Sequence, residues 1–427
     1  MIDTKELSFL KRTIELAKRG LGGVSPNPYV GAILVSAEGE VLGEGYHKKY
    51  GGPHAEVLAI QDAQERDGGL NAYKIEGSTL YCSLEPCSHT NKQTPPCTDL
   101  IIRKKIKKVV ILSVDPNPAV NGSGIAKLLA SGIEAYSLTR NSGNSGNNGN
   151  SGSNGKEIEA EQSLENTLVR EAYKLNQVFF KYISKHQPFV HLKWAQTLDG
   201  CVATKGGDSK WVTSENLRRE GHKLRLTYDA ILVGINTFLN DNPKLDVRYS
   251  LLEERKALDD VIARNPYRII VGNFNKLNLT VLKSLTMLND ELVNRTIIFT
   301  PEVFTKEIKH FLYKLRDERG LRFFETKNVL ANSRVSLQEV LNQLASLKIS
   351  SMLVEGGPTI TTEFIKQKLF DKISVFMAAK IVGEGLKAIG DLSIFKMSDS
   401  INFKIDEVEH IGEELAITLR NCSGLSK

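Results

Sequence analysis

One histidine, one glutamate and two cysteines in the first quarter of the sequence have the types and spacing of a zinc site with an acid–base group beside it. His54 and Glu56 are one residue apart, Cys87 follows a proline, and Cys97 follows two prolines. One imidazole nitrogen and two thiolates can hold Zn²⁺ and leave a fourth position for water, whose pKa the metal lowers to about 7. Glu56 would then take a proton from this water and deliver it to a leaving amine.

This pattern favours a catalytic zinc site over a structural one. A His-x-Glu pair followed by Pro-Cys and a second cysteine is typical of zinc deaminases, which act on the exocyclic amine of a base. A structural zinc site usually has four protein ligands, and the fourth would be Cys82 or His89. Cys82 lies inside a predicted strand, where only alternate side chains face one side, and His89 is interpreted as a loop residue. Both ligand cysteines are predicted at helix starts, where the helix dipole favours thiolates.

Alternating helices and strands in the first half of the sequence would position these residues. The predicted elements are helix Met1–Gly20, strands Gly31–Val35 and Glu40–His47, helix Ala55–Ala63, strand Thr79–Ser83, helix Thr98–Lys104, strand Val109–Val114 and helix Ile125–Ser131. This order indicates an α/β domain with a largely parallel sheet.

The second half alternates in the same way and predicts a second α/β domain. Its predicted strands are Phe189–Trp194, Ala230–Val233, Arg268–Val271, Thr296–Phe299, Ser351–Val354 and Ile373–Ala378. A chain of 427 residues exceeds the size at which a single core usually keeps growing, so two domains are expected.

The domain boundary is predicted near His186–Pro188, after a helical pattern over Ile158–Tyr182, which gives domains of residues 1–186 and 187–427. The tract Asn141–Gly155 consists only of Asn, Ser and Gly, and it is interpreted as a solvated insertion in the first domain. A boundary inside this tract is the alternative.

Composition limits the partners and the compartment. A net charge of +6 fits anionic small molecules as well as nucleic acid. The basic run Arg103–Lys108 lacks interleaved aromatics, so it is interpreted as a solvated helix end. The absence of a signal peptide and of an apolar run of about 20 residues predicts a cytoplasmic protein with no membrane partner. The five cysteines, an odd count, favour metal binding or catalysis over disulfides.

Residues 25–97 resemble the deaminase half of the bifunctional riboflavin-biosynthesis deaminase/reductases. The matching segments are Ser25-Pro26-Asn27-Pro28-Tyr29-Val30-Gly31, Gly52-Pro53-His54-Ala55-Glu56, Leu84-Glu85-Pro86-Cys87-Ser88-His89, Thr94-Pro95-Pro96-Cys97 and, further on, Asp115-Pro116-Asn117-Pro118. The resemblance implies a fold similar to cytidine deaminase, with three layers, and it makes Asn27 and Asn117 candidates for substrate binding. Alternatively, both asparagines simply form turns beside prolines.

One segment departs from the family pattern. Thr90-Asn91-Lys92-Gln93, between His89 and Thr94, is one residue longer than usual and lacks a glycine. Both cysteines remain, so we expect zinc to bind while the loop over the substrate changes shape.

The second half resembles the reductase half of the same family, which is similar to dihydrofolate reductase in fold. The matching segments are Lys193-Trp194-Ala195-Gln196-Thr197-Leu198-Asp199-Gly200, Ser209-Lys210-Trp211-Val212-Thr213, Leu224-Arg225, Asp229 to Gly234, and Thr237 to Arg248. The glycine pair in Val354-Glu355-Gly356-Gly357-Pro358-Thr359 lies between a predicted strand and the predicted helix Thr359–Leu369, where backbone N–H groups can hold a phosphate.

The resemblance implies a set of binding residues and the cofactor NADPH. NADPH would contact Ala195, Val202, Trp211, Thr237, Asp241 and the turn of Gly357, Pro358, Thr359, Ile360, Thr361, Thr362 and Glu363. By the same resemblance, the substrate would contact Ser209, Arg225, Leu245, Arg248 and Glu355. The two arginines are consistent with bidentate recognition of its phosphate. Lys193 and Asp241 are candidates for delivering a proton during reduction.

Several of these residues also have simpler interpretations. Trp211 could belong to the core, Arg225 could be a solvated helix residue, and Val202 and Leu245 could serve packing alone. Cys201 is interpreted as an inert thiol.

The leading hypothesis is a two-step enzyme of riboflavin biosynthesis. It would deaminate 2,5-diamino-6-(5-phosphoribosylamino)pyrimidin-4-one and then reduce the ribosyl side chain of the product with NADPH. Its partners would be a small phosphorylated pyrimidine and, by family resemblance, a second copy in a homo-oligomer. One alternative is a cytidine or tRNA-adenosine deaminase fused to an unrelated α/β domain. The other is an interaction protein with structural zinc.

Overall fold

The chain divides into two compact units between His186 and Gln187. The structure is a computed structural model, and it describes residues 2–70, 72–89, 95–117, 120–141, 155–248, 265–274, 277–301, 305–326, 329–330 and 334–421. Most of the polar tract and all of the departing segment Thr90–Gln93 lie outside these residues.

The first unit alternates between helices and strands. It begins with an amphipathic helix whose N-terminus is capped by a capping box between Asp3 and Glu6. Its elements are α1 (Thr4–Lys18), β1 (Gly31–Val35), β2 (Val41–Tyr46), α2 (Ala55–Glu65), β3 (Thr79–Leu84), α3 (Cys97–Arg103), β4 (Lys108–Ser113), α4 (Ser123–Ala130), β5 (Glu134–Ser137), α5 (Leu138–Asn141) and α6 (Gly155–Lys185).

These five strands form a mixed sheet in the order β2-β1-β3-β4-β5. β1 is antiparallel to both β2 and β3, whereas β3, β4 and β5 are parallel. The prediction of a largely parallel sheet is therefore wrong for the first half of this unit. The link between β1 and β2 is too short for the crossover of about a dozen residues that parallel strands need, so these strands form a hairpin.

Helices cover both faces of this sheet, as the period-two alternation of a strand requires. On β1, Ala32 and Leu34 pack with α2 and α3 in one core cluster, while Ile33 and Val35 pack with α1 and α6 in the other. The unit is thus a three-layer α/β/α domain, as expected, and its buried sheet is a rigid base for the loops at the strand ends.

The second unit contains a larger sheet and more helices. Its elements are β6 (Phe189–Thr197), β7 (Cys201–Thr204), α7 (Glu215–Thr227), β8 (Ala230–Gly234), α8 (Ile235–Asp241), β9 (Tyr267–Val271), α9 (Leu279–Ser284), α10 (Thr286–Asn289), β10 (Thr296–Pro301), α11 (Lys306–Arg319), β11 (Arg322–Thr326), β12 (Val329–Leu330), β13 (Arg334–Val335), α12 (Leu337–Ser346), β14 (Ser351–Val354), α13 (Pro358–Lys366), β15 (Lys372–Ala378), β16 (Gly385–Lys387), β17 (Phe403–Ile411) and β18 (Glu414–Asn421).

The main sheet has nine strands in the order β11-β10-β9-β8-β14-β6-β15-β18-β17. The first seven are parallel, and β15 pairs antiparallel with β18, which forms a hairpin with β17. The prediction of a largely parallel sheet holds here, although the hairpin at the edge was not anticipated. Its turn has two residues, of which Gly412 has a φ of 62°, a conformation that favours glycine.

Helices pack on both faces of this sheet as well. On β9, Ile269 packs towards α12 and α13, whereas Ile270 packs towards α8, α9 and α11. The strands β8, β14, β6 and β15 are parallel neighbours, so their carboxyl ends meet at one edge, where α/β sheets bind ligands. Among the described residues, no helix combines the length and apolar character needed to cross a membrane.

Candidate active sites

The zinc-site candidate is assembled from the start of α2, the loop after β3 and the start of α3. His54 is the N-cap residue of α2 with extended backbone, and its ring does not cap the helix. A Cβ on Gly45 of β2 would lie 2.4 Å from the carbonyl oxygen of Ala55, so this glycine lets β2 approach the first turn of α2. This contact holds the helix that carries His54 and Glu56 against the sheet.

The three predicted ligands converge on one point. The Nδ1 atom of His54 lies 3.5 Å from the Sγ atom of Cys87 and 3.3 Å from that of Cys97. Bonds of about 2.3 Å to sulfur and 2.0–2.1 Å to nitrogen at tetrahedral angles place such atoms about 3.6 Å apart. The donor set therefore fits Zn²⁺. Within the described part of the chain, it is a group of three residues, which leaves one tetrahedral position for a non-protein ligand.

The prediction that both cysteines start helices is correct for one of them only. Cys97 is the first residue of α3, but Cys87 lies in the extended loop after β3. The Sγ atom of Cys87 instead accepts a hydrogen bond from the backbone N–H of Cys97 at 3.3 Å. The first backbone N–H of α3 thus stabilises the thiolate of Cys87, which lies outside the helix.

Glu56 is buried in the first turn of α2, beside this cluster. Burial raises the pKa of its carboxyl group, and interaction with His54 acts in the opposite direction. A bound divalent cation would favour the carboxylate further.

A cavity of about 310 Å³ opens beside the cluster. Its lining includes Asn27, Asn117 and Asp115 together with His54, Glu56 and Cys87. Both predicted substrate-binding asparagines therefore line the same cavity as the zinc-site candidate.

His47 fixes the side chain of Asn27 in this cavity. Its Nδ1 atom lies 2.9 Å from the carbonyl oxygen of Pro53, and its Nε2 atom lies 3.1 Å from the Nδ2 atom of Asn27. A carbonyl only accepts, so Nδ1 carries the hydrogen and Nε2 of the neutral ring accepts from the amide. Burial lowers the pKa of His47, which favours this neutral form.

The loop after β4 contributes Asp115 and Asn117 to the cavity lining. The Oδ1 atom of Asp115 accepts a hydrogen bond from the backbone N–H of Asn117 at 2.8 Å, and the carbonyl oxygen of Asn117 accepts one from Val120 at the same distance. The first contact is an Asx turn, and together the two hydrogen bonds orient the Asn117 backbone.

In the second unit, Arg225 and Glu355 form a bidentate ion pair. The Nε and Nη2 atoms of Arg225 each lie 2.8 Å from a carboxylate oxygen of Glu355, and the Nη1 atom donates to the carbonyl oxygen of Asp246 at 2.9 Å. Burial on its own would raise the pKa of Glu355, but Arg225 outweighs it and lowers the pKa to about 2. Arg225 is therefore an ion-pair residue rather than a solvated one.

Lys193 lies on β6 at the level of this pair. Leu192 pairs with Val354, so the next residues along the parallel strands, Lys193 and Glu355, are neighbours. Burial lowers the pKa of Lys193, whereas Glu355 acts in the opposite direction. The ammonium group lies 4.6 Å from the ring centroid of Phe376.

The glycine turn after β14 has the geometry of a phosphate site. Gly357 is the N-cap residue of α13 without a side-chain cap, and its N–H donates to the Oγ1 atom of Thr237 at 3.1 Å. A Cβ on Gly356 would lie 1.8 Å from the Cγ2 atom of Ile360, so only glycine fits there. Pro358 has no N–H and the N–H of Gly357 already bonds Thr237, so Thr359 and Ile360 offer the N–H groups that could face an anion at this helix start.

Two family models match the chain. One, described as the RibD C-terminal domain, matches residues 188–417, and one described as the cytidine and deoxycytidylate deaminase zinc-binding region matches residues 3–113. The riboflavin biosynthesis protein RibD of Aquifex aeolicus is 39% identical over 98% of this chain and 99% of its own. The chain belongs to the RibD family. RibD of Escherichia coli is 32% identical over 96% of this chain and 98% of its own.

Solved structures agree with this RibD assignment. The diaminohydroxyphosphoribosylaminopyrimidine deaminase/5-amino-6-(5-phosphoribosylamino)uracil reductase of Thermotoga maritima is 34% identical, with a TM-score of 0.71, and the match covers 97% of this chain and 98% of that one. RibD of Acinetobacter baumannii is 28% identical with a TM-score of 0.74 over the same shares of the two chains. The predicted fold and the predicted bifunctional deaminase/reductase of riboflavin biosynthesis are confirmed. An unrelated second domain is thereby excluded, and the zinc-binding region belongs to an enzyme.

The remaining predicted RibD reductase residues lie on several segments. Ala195 is near the end of β6, Val202 is on β7, and Asp241 ends α8. Trp211 is 61% exposed, so it is not a core residue, and the guanidinium of Arg218 lies 4.2 Å from its ring centroid. Ser209 is exposed on the same segment.

The other predicted reductase residues lie in the first turns of α13 and in the loop after α8. Pro358, Thr359, Ile360, Thr361, Thr362 and Glu363 form the first turns of α13, where Thr361 and Thr362 are buried. Leu245 is buried in the core with a φ of 51°, so its side chain packs against the neighbouring apolar residues. Arg248 is exposed at the end of the same described segment.

Two residues of the deaminase unit were not anticipated. His47 ends a predicted strand, and only its contact with Asn27, twenty positions earlier, gives it a role. Glu85 precedes Pro86-Cys87, and its carboxylate contacts residues 30 to 40 positions later. The proline after Glu85 was visible in the sequence, but the partners were not.

Proposed function

We propose that the two units carry out consecutive reactions at two separate sites. The first unit deaminates 2,5-diamino-6-(5-phosphoribosylamino)pyrimidin-4-one by hydrolysis. The second reduces the ribosyl side chain of 5-amino-6-(5-phosphoribosylamino)uracil to a ribityl chain with NADPH. The observation that carries the proposal is the convergence of His54, Cys87 and Cys97 with Glu56 on one cavity, in a chain that continues into a RibD reductase domain.

In the deaminase, His54 and the two cysteines hold zinc. Zinc supplies a Lewis acid that lowers the pKa of a water molecule to about 7. Glu56 would take one proton from this water and deliver it to the ring nitrogen, and it would then carry the remaining hydroxyl proton to the amine, which leaves as ammonia. Its burial next to the ligands supports this role, because a base in a site with little water retains the proton for the second transfer.

The cavity walls recognise the pyrimidine. Asn27 and Asn117 present amide groups from two loops, and His47 holds the amide of Asn27 in a fixed orientation. Amides can donate and accept at once, which suits the alternating donors and acceptors on the edge of a diaminopyrimidinone.

In the reductase, Arg225 and Arg248 bind the substrate phosphate and Glu355 binds ribose hydroxyls, with Ser209 and Leu245 completing the subsite. The α13 turn from Gly357 to Glu363, with the N–H groups of Thr359 and Ile360, would bind NADPH together with Ala195, Val202, Trp211, Thr237 and Asp241. NADPH supplies the hydride for C1′ of the ring-opened imine. Of the two candidate proton donors, Lys193 has the stronger support, because it lies on β6 beside Glu355 of the proposed substrate subsite, whereas Asp241 ends α8.

The test is to supply the diaminopyrimidine phosphate with NADPH and to follow ammonia release and NADPH absorbance in the same sample. The expected result is one ammonia and one oxidised NADPH per substrate, with ammonia appearing first. A zinc chelator should stop ammonia release while reduction of the pre-deaminated substrate continues. Ammonia release that survives complete zinc removal, confirmed by metal analysis, would contradict the proposal.

The cytoplasmic location and the homo-oligomer also belong to this proposal. Their support is the likeness to RibD proteins of biosynthetic function and the family resemblance of the reductase half. Light scattering on the purified chain measures the oligomeric state, and a mass equal to one chain would contradict the homo-oligomer.

A further inference from the structure

The carboxylate of Glu85 accepts hydrogen bonds from four backbone N–H groups, one in the loop after β4 and three at the start of α4. Its Oε1 atom accepts from Gly124 at 2.9 Å and Ile125 at 3.2 Å, and its Oε2 atom accepts from Gly122 at 2.9 Å and Asp115 at 3.2 Å. The residue is buried and lines the deaminase cavity. Four hydrogen bonds to a buried charge are strong, because each is charge-assisted and screened from water.

These contacts connect the zinc loop to the wall that carries Asn117. Glu85 lies two residues before Cys87, and Asp115 lies two residues before Asn117. The backbone N–H of Glu85 also donates to the carbonyl oxygen of Ser113 at 3.0 Å, which extends the pairing of β3 with β4. The side chain of Glu85 therefore fixes the start of the loop that carries Cys87 and the start of the loop that carries Asn117.

The beginning of α4 packs tightly against Glu85 and Pro86. A Cβ on Gly124 would lie 2.2 Å from the carbonyl oxygen of Pro86 and 3.0 Å from the Oε1 atom of Glu85. The hydroxyl oxygens of Ser88 and Ser123 are 2.6 Å apart, which adds a second contact between the ligand loop and α4. The approach leaves no room for a side chain at position 124.

We propose that Glu85 is a positioning residue of the deaminase reaction, which sets the distance between the zinc ligand Cys87 and the pyrimidine-binding residue Asn117. The inference rests on the proposed deaminase function. A pyrimidine must contact Asn117 while its amine-bearing carbon lies at the metal site, so the spacing of the two loops decides productive binding. Glu85 acts through these loops and does not itself touch the reacting atoms.

Glu85→Gln tests this role without removing the bulk of the side chain. Glutamine keeps one acceptor oxygen and turns an NH2 group towards two N–H donors, so half of the contacts are lost. We expect deaminase kcat/KM to fall by about 10- to 100-fold, mainly through a higher KM, as for other supporting residues of metal sites. Zinc content and reduction of the pre-deaminated substrate should stay unchanged. The matched control is Glu76→Gln, a largely exposed carboxylate of the same unit, which should leave KM unchanged.

A double-mutant cycle with Asn117→Ala shows whether Glu85 acts through the Asn117 loop. In the Glu85→Gln background, Asn117→Ala should lower deaminase kcat/KM by less than a further twofold, because the loop that carries Asn117 is already displaced. Gly124→Ala pushes the start of α4 away from Glu85 and Pro86 while the Glu85 carboxylate is kept. It should also raise the deaminase KM. This variant therefore tests the inference even if Glu85→Gln does not fold. The inference is overturned if the effects of Glu85→Gln and Asn117→Ala on kcat/KM multiply in the double variant. It is also overturned if Glu85→Gln and Gly124→Ala both bind less zinc while the zinc-loaded fraction keeps a normal KM. A wild-type chain that releases no ammonia would refute the proposed function instead.

Discussion

Arg225 and Glu355 face each other in the second unit through two parallel hydrogen bonds, both 2.8 Å long. The pair joins α7 to the end of β14, next to the turn that begins α13. Arginine can make this two-point contact because its guanidinium is planar, whereas lysine offers a single point charge.

Arg225→Lys should therefore impair the reductase although the charge is kept. We expect KM for the pre-deaminated substrate to rise by about tenfold or more, because Glu355 loses one of its two hydrogen bonds and is no longer oriented. Steady-state kinetics with NADPH measure this change.

The control for this variant is Arg219→Lys on the same helix, whose ion pair with Glu215 is more exposed. It should change reductase KM by less than twofold, and neither variant should affect ammonia release. An unchanged KM in Arg225→Lys would show that the two-point contact does not orient the substrate-binding carboxylate.

His47→Asn should weaken substrate binding in the deaminase. The asparagine amide can still donate to the carbonyl oxygen of Pro53 but does not reach Asn27. Loss of one neutral hydrogen bond of about 0.5–1.5 kcal/mol corresponds to a rise in KM of up to about tenfold. Zinc analysis and reductase activity on the same variant are the internal controls. A normal KM together with full zinc content would remove His47 from the recognition of the pyrimidine.

The free energy of unfolding of the second unit should fall as the pH drops below about 6.5. His191 is fully buried and bonded at both ring nitrogens, to Tyr228 and Ser374, and burial lowers its pKa well below the usual value. The unfolded chain therefore binds a proton that the folded chain does not, starting near pH 6.5 and continuing towards the lower folded pKa. The slope from this residue is at most about 1.4 kcal/mol per pH unit.

Urea unfolding between pH 5.5 and 7.5 measures this slope. Both tryptophans of the sequence, Trp194 and Trp211, lie in the second unit, so their fluorescence reports its unfolding. His191→Gln should reduce this slope and leave the part that comes from His222, whose pKa burial lowers to about 4, whereas His310→Gln, at an exposed position, should leave it unchanged. Equal slopes in the wild type and His191→Gln would contradict the assignment.

The chemistry of the zinc site could be predicted from the sequence, because His54, Glu56, Cys87 and Cys97 differ in type from their surroundings and keep a short spacing. His47 and Glu85 could not, because their roles come from partners such as Asn27 and Gly124 that only the fold brings close. The buried parallel strands were visible as apolar runs. The β17–β18 hairpin was not, because much of β17 is exposed and lacks such a run.

The central claim is that two independent sites act in one chain, and Glu56→Gln tests it most directly. With the diaminopyrimidine phosphate, this variant should retain zinc but lose about 100- to 10,000-fold in ammonia release, the usual contribution of an acid–base group. NADPH oxidation should fall with it, because no uracil product forms. With the pre-deaminated substrate, NADPH oxidation should proceed at the wild-type rate. Loss of NADPH oxidation with the pre-deaminated substrate as well, in zinc-loaded protein, would contradict the account.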